Sequence, residues 1–237
     1  MSGWRQRRFW KAARAQRVAA GWEVRLDSRV LRTPAKAPLI LPSQALAEAI
    51  AAEWAAQTGE IDPATMPLTR IAHSAIDKVA PAQAEVAALI AAYGESDLLC
   101  YRAEGTALAE RQAEAWDPVL AWSASRLAAP LAVTCGVIHV QQAAASLARL
   151  RAEVAAFDAF ALAAFHDLVA LSGSLLLALA VIKGFEPADA LWERSRVDEN
   201  WQEEHWGRDE EAAESAAMKR RDFLLAADFL GLLAATR

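Results

Sequence analysis

The sequence predicts an α+β protein, with a small N-terminal antiparallel β-rich domain carrying short helices (residues 1–80) and a larger all-α C-terminal domain (residues 81–237). Two observations carry this. Between Arg17 and Leu41 apolar and polar residues alternate, the period of a strand with one buried face. From Pro81 onward the chain turns Ala- and Leu-rich with the 3.6-residue period of helices. With 237 residues, 55% of them hydrophobic, the chain can bury a sizeable core without metal or disulfide staples and is too apolar to stay disordered.

In order along the chain, Trp22, Val24 and Leu26 point to one side of a strand and Glu23, Arg25 and Asp27 to the other. Asp27-Ser28 is a turn signal, and Val30-Leu31 resumes the apolar pattern, so a hairpin is expected. Pro34, Pro38 and Pro42 confine the next stretch to edge strands or loops, because proline cannot donate to a sheet ladder. Ser43 is placed to cap a helix in which Leu46, Ile50, Ala51 and Trp54 recur at helical spacing, with Gly59 as its stop. Asp62-Pro63 and Met66-Pro67 predict an extended loop over 60–67. A short helix over 68–79 puts Ile71, Ala75, Ile76 and Val79 on one face, and His73 and Asp77 four residues apart read as a local helix-surface pair. Further helices are predicted at 81–94, 106–128, 141–156, 159–171 and 174–183, followed by one long helical region, 187–234. Pro81 and Pro187 suit first-turn positions. The β-branched run 131–140 reads as a strand or extended linker.

Several function classes lack their signatures. There is no GxSxG elbow, Walker loop, GxGxxG, CxxC or HExxH, and no histidine follows a glutamate at the spacing of a di-iron bundle. Cys100 and Cys135 are too few for a disulfide framework and are expected to be buried and inert. His166 and Asp167, being adjacent, fall on different helix faces and are expected to form no dyad. The segment 159–182 is apolar enough to span a bilayer. His166-Asp167 inside it and the Ser172-Gly173-Ser174 break predict a buried helical hairpin instead. No apolar signal segment follows the basic start, which predicts a protein of a reducing compartment. Residues 1–36 hold ten basic and two acidic residues, a charge of +8, and the remainder carries −13. No nucleic-acid motif accompanies the basic head.

The segment 198–214, DENWQEEHWGRDEEAAE, is dense in carboxylates. On one helix, Glu199, Glu203, Glu210 and Glu214 would approach a common stripe, with Trp201, Trp206 and Gly207 among them. Carboxylates alone favour a hard cation such as magnesium, which usually also takes a phosphate partner, and no phosphate loop supplies one. An acidic stripe with aromatic anchors suits a basic, partly apolar protein partner. Two other classes have distinct requirements. A carboxylate- or metal-dependent enzyme using 199–214 needs those groups to converge in a pocket. A membrane-peripheral protein needs the 159–182 hairpin exposed.

Eight blocks in this order carry a resemblance: RRFWK at 7–11, GWEVRLDSRVLRTPAKAPLILP at 21–42, AAEWAAQ at 51–57, IDPATMPLTRIAHSAID at 61–77, YGESDLLCYR at 93–102, RQAEAWDPVLAW at 111–122, GSLLLALA at 173–180 and VDENWQEEHWGRDEEAAE at 197–214. Together they resemble the assembly-chaperone family that holds the unassembled alpha subunit of the F-type ATP synthase catalytic head. Ser28 stands where that family's LDGR turn has glycine. The resemblance implies the two-part fold above, no enzymatic activity, and no cofactor, nucleotide or metal. It implies the alpha subunit as partner, with no nucleic acid and no stable membrane insertion, and a chain that is monomeric when free. The implied location is the bacterial cytoplasm, corresponding to the mitochondrial matrix in eukaryotic relatives. Its signature ExWQxxxWGxxExxxE falls on Glu199, Trp201, Gln202, Trp206, Gly207, Glu210 and Glu214, which become the expected partner-binding residues.

Overall fold

The computed structural model describes residues 7–235, so Trp4 and Arg5 of the basic head lie outside the described residues. The chain forms two compact units, one of Met1–Gln83, Asp158–Ala164 and Asp228–Arg237, the other of Ala84–Phe157 and Phe165–Ala227.

In the first unit, β1 (Ala13–Val18) pairs antiparallel with β2 (Gly21–Leu26), Ala13 opposite Leu26. β3 (Arg29–Val30) and β4 (Ile40–Leu41) each pair antiparallel with β2, through Leu26↔Arg29 and Trp22↔Leu41. Val24 and Leu26 are buried as the alternation predicts. Glu23 is buried too, and its carboxylate accepts from Arg25 Nε at 2.7 Å, so the charge is not buried unpaired. At the β2–β3 turn it is Asp27, φ 55°, that takes the left-handed conformation, and Ser28 does not. That explains how serine serves where the family has glycine. Asp27 holds the strained position because its carboxylate accepts from the Lys11 and Ala12 N–H groups at 2.9–3.1 Å.

Ser43 caps α1 (Gln44–Ala56), its Oγ accepting from Leu46 N at 3.2 Å and donating to Leu232 O at 2.7 Å. The helix ends at Ala56, before Gly59, where Gln57 turns to extended backbone (φ −64°, ψ 134°), and Arg8 satisfies carbonyls at that end. The guanidinium donates to Ala55 O (3.0 Å) and Gln57 O (2.6 Å). Beside it Trp10 donates to Trp54 O, and the two indoles lie 5.3 Å apart. Part of the basic head is thereby used within the fold. Residues 60–67 contain a 3₁₀ turn, Pro63–Thr65, capped by Asp62. Glu53 of α1 caps α2 (Pro67–Ser74), accepting from Leu68 N, Thr69 N and Thr69 Oγ1 at 2.6–2.8 Å. Where an α-helix to Val79 was expected, the last turn, Ala75–Val79, is a π-helix.

The remaining helices are α3 (Gln83–Ala91), α4 (Thr106–Arg126), α5 (Ala144–Ala155), α6 (Ala159–Ser172), α7 (Leu175–Ile182), α8 (Ala188–Ser195), α9 (Val197–Trp206) and α10 (Glu210–Ala234). The long region 187–234 is therefore three helices, and Pro187 precedes α8 as its N-cap instead of opening its first turn. Within 131–140, β6 (Thr134–Cys135) pairs parallel with β5 (Tyr101–Arg102). The hairpin α6–α7 is buried as expected: Leu162, Phe165 and Leu168, and every residue from Leu175 to Ala180, are shut off from solvent. Gly173 (φ 70°) breaks it, and Ser174 Oγ caps α7 by accepting from Leu177 N at 3.0 Å. His166 and Asp167 stand at its solvent side. They do touch, contrary to expectation, with His166 Nδ1 and Asp167 Oδ1 3.1 Å apart, because neighbouring exposed side chains can bend toward each other. That contact raises the His166 pKa.

Cys100 is buried and its thiol is pushed up to about 12, first by burial and then by Asp97, which leaves it inert. Cys135 is exposed, a correction to the expectation that both thiols are buried; it sits on the short β6 loop.

Candidate functional site

The acidic segment is divided between two helices. Gly207 (φ 89°) takes a conformation that turns the chain, and its N–H closes α9 on Glu203 O at 3.0 Å. Nothing lies within 4 Å of where its Cβ would be, so direction, not close packing, is the reason for glycine. Asp209 then starts α10, accepting from Glu211 N at 3.0 Å. Glu199 and Glu203 thus belong to α9, and Glu210 and Glu214 to α10. The expected single stripe does not exist, because one interior glycine interrupts its period.

The two halves differ in what they touch. On α9 the side chains are engaged with α4. Arg111 grips Glu204 with both Nη atoms at 2.5 and 2.8 Å, which lowers the Glu204 pKa and raises that of Arg111. Gln112 donates to Asp198 at 2.6 Å, and Arg196 pairs with Glu199 at 2.6 Å. Trp201 is half-buried, stacked on the His205 ring at 4.1 Å with the Arg111 guanidinium 6.0 Å from its centroid. Ahead of α9, Trp116 donates to Arg194 O at 2.7 Å, and Arg194 pairs with Glu186 at 2.6–2.7 Å while donating to Ala115 O.

The remaining predicted residues are turned to solvent. Gln202, Trp206, Glu210 and Glu214 are all exposed. Trp206 is 78% exposed, alone among the eight described tryptophans in being so. Around it Asp209, Glu210, Glu211 and Glu214 face solvent, and Arg208 approaches Glu210 at 3.8 Å. Of the seven predicted residues, then, Trp201 is held in the α4–α9 seam, Glu199 pairs with Arg196 at the start of α9, and Gly207 sets the chain direction. The other four stand available at the tip of α9 and the start of α10. Among the described residues no three histidine, cysteine or acidic side chains come close enough to share a metal ion. The membrane-peripheral reading needs an exposed hairpin; 159–182 is buried, and no helix among the described residues is long and apolar enough to cross a membrane.

Sequence reasoning missed two features. One is a loop with Val133, Val137 and Ile138 exposed at 44%, 96% and 77%. Its β-branched run was visible, but exposure cannot be read from residue type alone. The other is Asp97, wholly buried, whose carboxylate accepts from Ser174 Oγ at 2.7 Å and from Leu99 N and Leu176 N at 3.0 Å each.

The chain is similar to known proteins over nearly its whole length. A family model described as ATP12 chaperone protein matches residues 7–124. The solved structure of Atp12 from Paracoccus denitrificans superimposes with a TM-score of 0.93 at 52% identity, covering 96% of this chain and 98% of that one. The Atu1473 protein of Agrobacterium tumefaciens gives a TM-score of 0.92 at 39% identity, covering 96% and 86%. Among curated proteins, mitochondrial atp12 of Schizosaccharomyces pombe is 25% identical over 221 residues, covering 88% of this chain and 76% of that protein.

Proposed function

Because the chain belongs to the ATP12 chaperone family, we propose that it is an assembly chaperone which binds the unassembled alpha subunit of the F-type ATP synthase catalytic head, keeps it from aggregating and hands it over for assembly, without catalysing a reaction. The observation that carries this reading is the end-to-end likeness to a solved chaperone of that family. A subunit awaiting its neighbours exposes apolar surface, and such surfaces aggregate at micromolar concentration. A holding protein has to cover that surface and still be displaced by the proper neighbour. Exposed anchors ringed by polar groups meet both needs, because they give specificity without the affinity of a permanent interface. The tip formed by Trp206, Glu210 and Glu214, with Gln202 beside it, is our choice for the surface the client meets, and it supports a partner with basic and apolar character. The setting is the bacterial cytoplasm, where the chaperone acts as a monomer.

The test is refolding of the alpha subunit from denaturant, followed by light scattering. Equimolar chaperone is expected to suppress scattering with no nucleotide present. Unchanged scattering, together with failure of the alpha subunit to co-purify on co-expression, overturns the reading.

A further inference from the structure

In the sheet of the first unit β1 pairs with β2 alone, and its other side has no strand partner among the described residues. Asp27 N donates to Ala12 O at 2.9 Å, which sets the phase of the ladder. With that phase and a one-to-one register from Ala13↔Leu26 to Val18↔Gly21, the backbone groups of Arg14, Gln16 and Val18 meet β2. The N–H and C=O groups of Ala13, Ala15 and Arg17 turn the other way, in a row along the open edge, and none of them takes part in a described hydrogen bond.

Natural sheets guard such an edge with proline, a bulge or charge. β1 has no proline and no bulge, and its charges are Arg14 and Arg17, both exposed. Arg14 stands directly opposite Arg25, and like charges so placed weaken a sheet. Glu23 relieves Arg25 at 2.7 Å, and the carboxylate of Asp27 is taken up by the Lys11 and Ala12 N–H groups. No described acidic side chain pairs with Arg14 or Arg17. The two arginines also lie on opposite faces of the strand. Arg14 shares the face of Arg25, away from buried Val24 and Leu26, while the Arg17 guanidinium lies 5.8 Å from the ring of half-buried Trp22.

Charge selects what can pair here. A second copy of β1 would bring arginine against arginine, and a neutral strand would leave both cations unpaired. A strand with two carboxylates three residues apart sets one beside Arg14 and one beside Arg17, because residues at odd spacing point to opposite faces. The same arginines that keep copies of this chain apart therefore favour an acidic strand.

We propose that the open edge of β1 takes up an extended, acid-bearing segment of the client polypeptide as an added strand, its backbone pairing with Ala13, Ala15 and Arg17 and its carboxylates meeting Arg14 and Arg17. The inference rests on the holding function proposed above and names a second surface for it. The acidic tip and this basic edge suit oppositely charged parts of one client.

The experiment uses the full chain, alone and with the alpha subunit. It also uses peptides of the subunit's acidic segments, beside the same peptides with Asp and Glu changed to Asn and Gln. Amide hydrogen exchange at Ala13, Ala15 and Arg17 should slow on binding of the subunit and of at least one acidic peptide. Ala15→Pro removes an outward donor and sets a ring across the edge while the β2 ladder stays whole, the place where edge strands accept proline. It should weaken binding at least about ten-fold, since one hydrogen bond goes and pairing beside it is blocked. Arg14→Gln with Arg17→Gln changes exposed side chains only, so it tests the edge even if the proline variant folds poorly. It should weaken binding about five-fold at low salt and leave it unchanged at high salt. If the subunit binds wild type and both variants alike and the three amides stay unprotected, the edge proposal fails while the chaperone reading stands. It fails likewise if the neutral peptides bind as tightly as the acidic ones, or if sedimentation shows a dimer of this chain whose formation protects the same amides. If the subunit does not bind wild type, both fail.

Discussion

Around Asp97 one carboxylate is wholly buried and accepts from Ser174 Oγ, Leu99 N and Leu176 N at 2.7–3.0 Å. Around Trp206 the carboxylates of Asp209, Glu210, Glu211 and Glu214 stand in solvent beside an indole that is 78% exposed. The first arrangement joins the 3₁₀ turn Leu98–Cys100 to the first turn of α7, where three donors that water cannot reach need an acceptor. The second gives the fold little to lean on. Beyond Gly207 the dense acidity therefore marks a surface held open, while the carboxylate that ties these two turns of the helical unit together is a single residue inside YGESDLLC.

The most severe way to test that contrast is to remove the buried member. Asp97→Ala leaves three buried donors unmatched, each costing about 1–3 kcal/mol, so a loss of roughly 3 kcal/mol or more is expected in urea unfolding. Asp97→Asn keeps an acceptor oxygen and should lose less. Equal, small losses for both would mean that the helices pack without the knot.

Trp206→Ala is the complementary case. Its indole contributes little to packing, so stability should stay within about 0.5 kcal/mol of wild type. Affinity for the client should fall by about 2 kcal/mol, near thirty-fold, if the indole is an anchor. Trp116→Ala, at a residue shut off from solvent, should do the reverse and cost about 3–5 kcal/mol of stability. Unchanged affinity for Trp206→Ala, by titration calorimetry, would remove the tip from the client surface.

The contrast also shows what the sequence makes legible. The α6–α7 hairpin could be read because its apolar run is long and its break is written in Ser172-Gly173-Ser174. The β1–β2 hairpin and the Ser43 cap obey local rules and were equally visible. Asp97 was not, because its role depends on Ser174 and Leu176, nearly eighty residues away. The acidic segment was found, but its shape was misread: periodicity carried a helix through Gly207, whose positive φ ends it. Its residue types also gave no sign that Trp201 would turn inward to Arg111 while Trp206 turned out. His73 and Asp77 read as a local pair, yet the structure leaves His73 Nε2 and Asp77 Oδ1 without a hydrogen-bond partner.

A milder variant separates charge from anchor. Glu210→Gln with Glu214→Gln removes two exposed charges and should leave melting unchanged. Exposed charges steer encounter, so the association rate should fall several-fold and its salt dependence should flatten, with residence time nearly constant. Stopped-flow measurement at two ionic strengths decides it. A change confined to the dissociation rate would show that these carboxylates are desolvated contacts.

Asp27 supplies the intermediate case, a carboxylate that is exposed yet matched with donors, and the smallest expected effect. Hydrogen bonds from Ala12 N and Lys11 N are the main cause of its lowered pKa. A pKa lower in the folded than in the unfolded chain means that the folded state binds fewer protons. Its stabilising contribution is therefore fully present above the unfolded value near 3.8, and is lost as pH falls through the lower folded value. Asp27→Asn cannot ionise, and asparagine also tolerates the left-handed turn conformation, so the variant should fold. Urea unfolding of the two proteins between pH 6 and pH 2 should show wild type ahead above about pH 4, with the gap narrowing below it as Asp27 takes up its proton. A gap that stays constant with pH would mean that shape alone holds the turn and the charge contributes nothing, which would leave burial, not pairing, as the property that distinguishes Asp97 from the carboxylates of the tip.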